Sequence, residues 1–333
     1  MNWCTILIGA MLAFGPLFAS APATAGDSRW GRGYLPNTPV VTQDNKSLFF
    51  YDDVLKGKIV ILSFIYTTCR DICPVVTARL SQLEEKLGDV VGRDIFFVSV
   101  SIDPENDTPE KLKEYANAFS AGPSWLFLTG KPADMEAMRY KLGERRERIS
   151  QHRNEILLYN DATGDWERSS VFGDLNTLAV TVRAMDPAWR NRKGSSDAVK
   201  PSVAGLEQGK SAASGTGAVA SIGLPGEALF IKTCASCHTI GRGDKVGPDL
   251  LNLTNRRDRS WIASFIADPE KMLSQDSPAV RELTAKYRAV RMPNLGLADV
   301  DISDVIAYIE AKTYAVEADR KNPEMHHHHV HNH

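Results

Sequence analysis

The chain has 333 residues, more than one ordinary compact core accommodates, so its length predicts two domains. Hydrophobic residues make up 43% and charged residues 24%, which is typical of soluble globular domains. The formal net charge of −2 gives no reason to expect nucleic acid or an anionic surface as a partner, so we predict no nucleic-acid binding.

The first 25 residues have the pattern of a secretory signal peptide. An apolar stretch over 5–19 is followed by small residues that end in Ala23-Thr24-Ala25, an A-x-A cleavage site. The rival interpretation is a retained anchor, but Pro16 and an apolar core below the ~20 residues of a spanning helix argue against it. We expect cleavage after Ala25, a periplasmic protein, and membrane contact only through a partner or an uncleaved signal.

Residues 26–190 are predicted to form an α/β domain, because apolar runs alternate with amphipathic helices from Lys58 onward. Three strands are expected at 58–66, 95–102 and 125–128, and a hairpin at 155–171 that turns at Thr163-Gly164. The first strand leads into a helix that begins near Cys73 and whose apolar positions are Val76, Leu80, Leu83 and Leu87. Thr108 is expected to cap a second helix that has Pro109 at its first position, and a last helix covers 174–185.

The rest of the chain is predicted to contain a linker, a helical domain and a tail. Residues 191–222 are rich in Gly, Ser and Ala and have no aromatic residue, which indicates a flexible linker of roughly 30 Å mean reach. Residues 223–316 are expected to be largely helical. The His-rich tail, residues 317–333, is interpreted as a native metal-collecting segment, with an expression tag as the alternative.

The second domain contains Cys234-Ala235-Ser236-Cys237-His238, the C-x-x-C-H pattern of covalent c-type haem attachment. Two thiols at this spacing reach the two vinyl groups of one porphyrin, and the adjacent imidazole then lies under the iron. The alternatives are a C-x-x-C disulfide or half of a zinc site. Met292, which a proline follows, is the predicted sixth ligand, and Met272 is its competitor.

The segment that contains this motif resembles a class I cytochrome c. The resemblance rests on "GEALFIKTCASCH", "VGPDL" and "MPNLG" and covers about ninety residues. It implies His238 and Met292 as axial ligands of haem c, with Phe230 and Tyr308 where the terminal helices cross. A His/Met pair suits electron transfer rather than oxygen binding.

Cys69 and Cys73 form a second cysteine pair, for which a disulfide, a redox switch and a metal site are the alternatives. Positions four apart lie on one face of a helix, so we expect both sulfurs to converge. A helix N-terminus favours the thiolate form of a cysteine. Two thiolates are soft ligands suited to Cu(I), and one added imidazole ligand would allow the site to bind Cu(II) as well. His152 is the only histidine outside the tail and the haem motif.

Residues 33–185 contain the stretches "KGKIVILSFIYTTCRDICPVVTARLSQLEEKL", "VSIDPENDTPEKLKEYANAF" and "QHRNEILLYNDATGDW". Through these stretches this region resembles the SCO/SenC family of copper-binding assembly factors of cytochrome c oxidase. The resemblance implies a thioredoxin-like fold and copper held by Cys69, Cys73 and His152. Two residues depart from the family pattern: Arg70 stands where proline is usual, and Gln151 where aspartate is usual.

These patterns together predict an exported α/β thioredoxin-like domain followed by an all-α class I cytochrome c domain. The expected function is to supply or reduce copper, or to keep thiols reduced, during assembly of the dinuclear copper centre of a respiratory oxidase. The expected partner is the copper subunit of that oxidase or another periplasmic redox protein. The alternatives are a thiol–disulfide oxidoreductase that uses Cys69 and Cys73 as catalytic residues, and a plain electron carrier.

Overall fold

The computed structural model describes residues 33–145, 154–191 and 223–321. The predicted signal peptide, His152, most of the predicted linker and the histidine run at the end of the chain lie outside these ranges. Within the described ranges, no helix is both long and apolar enough to cross a membrane.

The described part of the first domain contains one seven-stranded sheet in the order β2-β1-β5-β4-β3-β6-β7. The strands are β1 (Pro39–Thr42), β2 (Ser47–Phe49), β3 (Ile59–Ile65), β4 (Ile95–Ser101), β5 (Trp125–Thr129), β6 (Ile156–Asn160) and β7 (Asp165–Ser169). Strands β3, β4 and β5 are parallel neighbours, whereas the other pairs are antiparallel. The three predicted strands and the predicted hairpin are therefore present, while the short strands β1 and β2 were not predicted.

Helices cover both faces of this sheet. They are α1 (Cys73–Leu87), α2 (Pro109–Ala118), α3 (Pro132–Lys141), α4 (Leu175–Ala184) and α5 (Pro187–Asn191). The predicted cap of α2 is confirmed, since the Thr108 hydroxyl accepts a hydrogen bond from the Lys111 backbone N–H and Pro109 is the first helical residue. Helix α3 was not predicted, because its buried residues are only Met135 and Met138.

Strand β3 lies at the centre of the sheet and is buried along its whole length. Ile61 and Ile65 belong to the core cluster shared with α1, α2 and α4, while Val60 and Leu62 belong to the cluster on the opposite face. This explains the continuous apolar run in the sequence, because a strand covered on both faces has no solvent-facing positions. The carboxyl end of β3 leads directly into the turn that contains Cys69.

The second domain is helical. Its helices are α6 (Glu227–Leu229), α7 (Leu253–Arg256), α8 (Arg259–Ala267), α9 (Pro269–Leu273), α10 (Pro278–Lys286) and α11 (Asp299–Lys321). Helix α6 continues into a π-helical turn over Phe230–Cys234. As expected, Phe230 meets Tyr308 of α11, with ring centroids 5.2 Å apart. Helix α11 continues past residue 316, the predicted end of this domain, to Lys321.

Candidate copper and haem sites

Cys69 and Cys73 lie side by side, but not on one helical face as predicted. Cys69 precedes α1 and lies in a turn, where its backbone N–H donates to the Tyr66 carbonyl at 3.1 Å. Cys73 is the first residue of α1. The turn folds back so that the two thiols are hydrogen-bonded to each other. The sulfurs converge as expected, although the turn rather than helical spacing brings them together.

Both thiols are buried, at 5% exposure for Cys69 and 0% for Cys73. Burial raises the pKa of Cys73 above its ordinary value, and the hydrogen bond with Cys69 raises it further. The expectation that the helix N-terminus favours the thiolate is therefore wrong for Cys73 in the metal-free protein, because desolvation of the charged form outweighs the helix dipole. A metal ion that binds here must displace the thiol proton.

The donor set fits a soft metal ion. Two adjacent sulfurs, enclosed by Tyr66 and Ile102, can serve as thiolate ligands of the kind that Cu(I) prefers. Among the described residues, no three His, Cys, Asp or Glu side chains are grouped so that they could hold a metal ion. The third predicted ligand, His152, lies outside those residues, so two of the three predicted ligands are brought together in the structure.

A buried carboxylate, Asp107, holds the start of the cysteine turn in place. It accepts hydrogen bonds from the Thr67 backbone N–H (3.0 Å), the Thr67 hydroxyl (2.6 Å) and the Ser101 hydroxyl (2.5 Å). Asp107 thereby ties the turn after β3 to the end of β4. Sequence reasoning missed this residue, because an acidic residue before a helix cap is usually solvated and its pattern does not distinguish it from Asp103.

The C-x-x-C-H motif forms a tight turn on the wall of a large cavity. The backbone N–H groups of Cys237 and His238 both donate to the Cys234 carbonyl, at 3.0 and 2.9 Å. The three side chains line a cavity of about 710 Å³, and Met292 lines the same cavity. Burial raises the pKa of Cys237 to about 11. The cavity size lies within the range of small-molecule and cofactor sites.

The two candidate methionines differ in their surroundings. Met292 lies on the cavity wall with Pro293 and Leu295. Met272 is buried in α9 beside Gln275, whose side-chain amide donates to its sulfur at 3.5 Å. The cavity geometry therefore favours Met292 over Met272 as a ligand.

His238 is oriented for ligation through its outer nitrogen. Its Nδ1 lies 2.9 Å from the Pro248 carbonyl oxygen, which can only accept, so Nδ1 carries the proton and Nε2 is available to a metal. Burial lowers the pKa of His238, which keeps the imidazole neutral. Gly247 lies against the ring, and a Cβ atom added there would be 2.5 Å from His238 Cε1. The residues present therefore fit a covalently attached haem.

The cysteine turn and the haem-motif cavity are neighbours. Pro74, the residue after Cys73, lines the cavity that also contains His238 and Met292. The Asn294 backbone N–H, two residues beyond Met292, makes a long hydrogen bond of 3.4 Å to the Arg70 carbonyl. The linker prediction implied only that the two domains could meet, so this juxtaposition of the two candidate sites is new information from the tertiary structure.

Comparison with known proteins finds two family matches along the chain. The SCO1/SenC family model matches residues 41–161, and the cytochrome c family model matches residues 224–312. The chain joins a SCO1/SenC domain to a cytochrome c domain. The predicted fold class, an α/β thioredoxin-like domain followed by an all-α cytochrome c domain, is thereby confirmed.

Individual relatives match the SCO1/SenC domain in part. A SCO1 protein homologue from Bacillus subtilis is 39% identical over 89 residues, which cover 26% of this chain and 45% of the relative. The chain thus spans about half the length of this relative, and likewise about half of a copper-binding protein from Stutzerimonas stutzeri that it also matches. A SCO1/SenC family lipoprotein structure from Bacillus anthracis is 25% identical, with a TM-score of 0.40, and covers 47% of this chain and 97% of that one. The Arabidopsis thaliana ScoI structure with copper bound is 25% identical, with a TM-score of 0.37 and coverage of 44% and 95%.

Proposed function

We propose that this protein is a periplasmic copper-binding assembly factor for the dinuclear copper centre of a respiratory oxidase. Its fused cytochrome exchanges single electrons with the bound copper. The proposed layout is a signal peptide over 1–25, a copper domain over 26–190, a linker over 191–222 and a cytochrome from 223 to the end of α11 at Lys321, followed by the His-rich tail. The partner is the copper-centre subunit of the oxidase or another periplasmic redox protein.

Copper is the cargo in this proposal, and Cys69, Cys73 and His152 are its ligands. A resident haem would be attached through Cys234 and Cys237, and His238 and Met292 would hold its iron. A haem with these ligands supplies one-electron transfer. The convergent thiols support the copper assignment, and the lining of a single cavity by both His238 and Met292 supports the haem assignment.

The observation that carries the proposal is the position of Pro74, which follows Cys73 and also lines the haem cavity. If the two domains were fused without a shared function, the cavity of the cytochrome domain would not have to lie beside the cysteine turn. One-electron chemistry matches the Cu(II)/Cu(I) couple, whereas oxidation of a dithiol to a disulfide releases two electrons. We therefore infer that Cys234, Cys237, His238 and Met292 would hold a haem whose one-electron chemistry would convert captured Cu(II) to Cu(I), one electron per copper ion.

The test follows haem oxidation by stopped flow. The haem is reduced, excess reductant is removed, and one equivalent of Cu(II) is added without oxygen. We expect first-order oxidation that is independent of protein concentration and much slower in His152→Ala and in Cys69→Ser/Cys73→Ser. A variant without the histidine run serves as the control for copper captured there. Equal rates in the double cysteine variant and the parent would mean that copper reacts directly with the cytochrome.

The hydrogen-bonded thiols would also permit a second function, thiol–disulfide exchange with partner cysteines. His152→Ala separates the two functions. An assembly factor loses Cu(II) binding in this variant, whereas a dithiol oxidoreductase keeps most of its exchange activity, measured with a peptide disulfide.

The periplasmic location has its own test. We expect the mature protein to begin at Gly26 and to be released by osmotic shock. Recovery in the membrane pellet with Met1 or Asn2 still present would contradict cleavage after Ala25.

A further inference from the structure

Arg70 lies in the cysteine turn, between Cys69 and Cys73. It contacts the cytochrome domain with both its backbone and its side chain. Its carbonyl accepts the Asn294 backbone N–H from the loop that contains Met292. Its guanidinium pairs with the carboxylate of Glu270, in the first turn of α9. Both contacts join positions more than 190 residues apart in sequence, so they are formed by docking of the two domains.

A second ion pair of opposite polarity lies on the same interface. Arg288, just after α10 in the cytochrome domain, contacts Glu114 of α2 at 2.7 Å. The copper domain thus contributes one cation and one anion, and the cytochrome domain contributes the complementary pair. Two pairs of opposite polarity specify a rotational orientation, because a rotated arrangement would bring like charges together.

Apolar residues contact each other beside these polar pairs. Cys237, Val246 and Val290 of the cytochrome domain are partly buried and pack against the core cluster of the α/β domain. Pro74 lies on the wall of the haem cavity beside them. An apolar contact with exposed ion pairs near it has the composition of a specific protein interface.

We propose that the Cys69–Cys73 turn is the docking surface for this chain's own cytochrome domain, with Arg70 as the residue that holds and orients it. Exposed ion pairs are individually weak, so the docked state is reversible. The linker offsets the weakness of these pairs, because it keeps the cytochrome domain near the cysteine turn at an effective concentration on the order of millimolar. A copper acceptor that approaches this side of the turn must displace the cytochrome. This role deepens the proposed function, and its consequence for copper delivery depends on that function.

A zero-length cross-link tests the docking directly. In copper-free Arg70→Lys with haem attached, a carbodiimide should join the new amine to Glu270, and mass spectrometry should find this link in the monomeric band. The native Lys113–Asp44 pair, 2.7 Å apart within the first domain, provides the internal positive control. A digest that contains the 113–44 link but no 70–270 link would overturn the proposal.

A charge-reversal cycle gives an independent readout. Glu270→Arg and Arg70→Glu each place like charges together, and the double variant restores an opposite pair. Small-angle scattering of the copper-free, haem-containing protein should show a larger radius of gyration in each single variant and near-parental values in the double variant. We expect the docked-to-undocked ratio to fall roughly two- to fivefold in the single variants, in keeping with exposed pairs. The matched control Glu155→Arg disrupts the exposed Arg168–Glu155 pair inside the first domain and should scatter like the parent.

Single variants that scatter like the parent at low salt would show that Arg70 does not hold the domains together, even if the 70–270 link forms. Both measurements are made without copper, so they are independent of electron transfer. If the 70–270 link forms but Cu(II) does not oxidise the ferrous haem, the docking stands and the proposed electron transfer fails.

Discussion

Gly247→Ala should disturb His238, the proposed haem ligand, without changing any proposed ligand. Gly247 lies beside the His238 ring, and a Cβ atom there would be 2.5 Å from Cε1 and 3.0 Å from Nδ1. Carbon atoms in ordinary contact are about 3.5–4.0 Å apart. The ring, or the segment that contains Gly247, must therefore move by about 1 Å to accept the methyl group.

This displacement has two consequences for the free energy of unfolding. Overpacking of a well-packed site costs about 1–3 kcal/mol. If the ring moves away from Pro248, the 2.9 Å hydrogen bond from Nδ1 lengthens beyond the normal range, which costs about 0.5–1.5 kcal/mol. We expect a total loss of about 2–4 kcal/mol in the cytochrome domain.

The assay is denaturant unfolding of the haem-attached protein, followed through the haem absorption, together with the spectrum of the oxidised protein. Gly173→Ala is the control, because no atom lies within 4 Å of a Cβ added there. We expect the control to unfold like the parent and Gly247→Ala to unfold earlier, with a weakened low-spin spectrum. A Gly247→Ala protein within about 0.5 kcal/mol of the parent and with an unchanged spectrum would refute the close-packing argument.

Two further predictions concern the ligand methionine and the buried carboxylate. Met292→Ala should keep its haem but lose the thioether-to-iron band in the absorption spectrum of the oxidised protein. Met272→Leu, a volume-conserving change, should retain the band. The reverse result would identify Met272 as the ligand. Burial raises the pKa of the Asp107 carboxyl group, so the folded state binds the carboxyl proton more tightly than the unfolded state does. The protonated carboxyl group therefore favours the folded state at low pH, and this contribution to the free energy of unfolding is lost as pH rises through the raised pKa. The unfolding free energy of the parent minus that of Asp107→Asn should therefore increase from neutral pH to about pH 4, and a constant difference would contradict this.

Features that depend on short stretches of chain could be predicted from the sequence. The apolar run of β3 indicates a strand covered on both faces, and Thr108 with Pro109 indicates the start of α2. The C-x-x-C-H motif identifies the haem segment because the required geometry lies within five residues. Helix α3 lacked such a pattern, and β1 and β2 are too short to show one, so these elements were missed.

The conformation of the cysteine turn was decided by tertiary structure. The turn that follows Tyr66 brings Cys69 beside Cys73. Asp107, in the segment after β4, holds this turn in place through its hydrogen bonds with Thr67. Neither feature has a periodic signature, since each depends on how the ends of β3 and β4 meet. The raised pKa of Cys73 is likewise a consequence of burial, which the helix position alone did not indicate.

The relation between the two domains is the feature least accessible to sequence reasoning. The Arg70–Glu270 and Arg288–Glu114 pairs join residues separated by 200 and 174 positions, and each of the four residues resembles an ordinary solvated charge in its local sequence. Only the folded surfaces determine which charges face each other. The sequence therefore determined the identity of the two domains and most of their candidate ligands. The tertiary structure decided that the haem cavity lies against the cysteine turn, because domain docking depends on the shape and charge of surfaces assembled from distant segments.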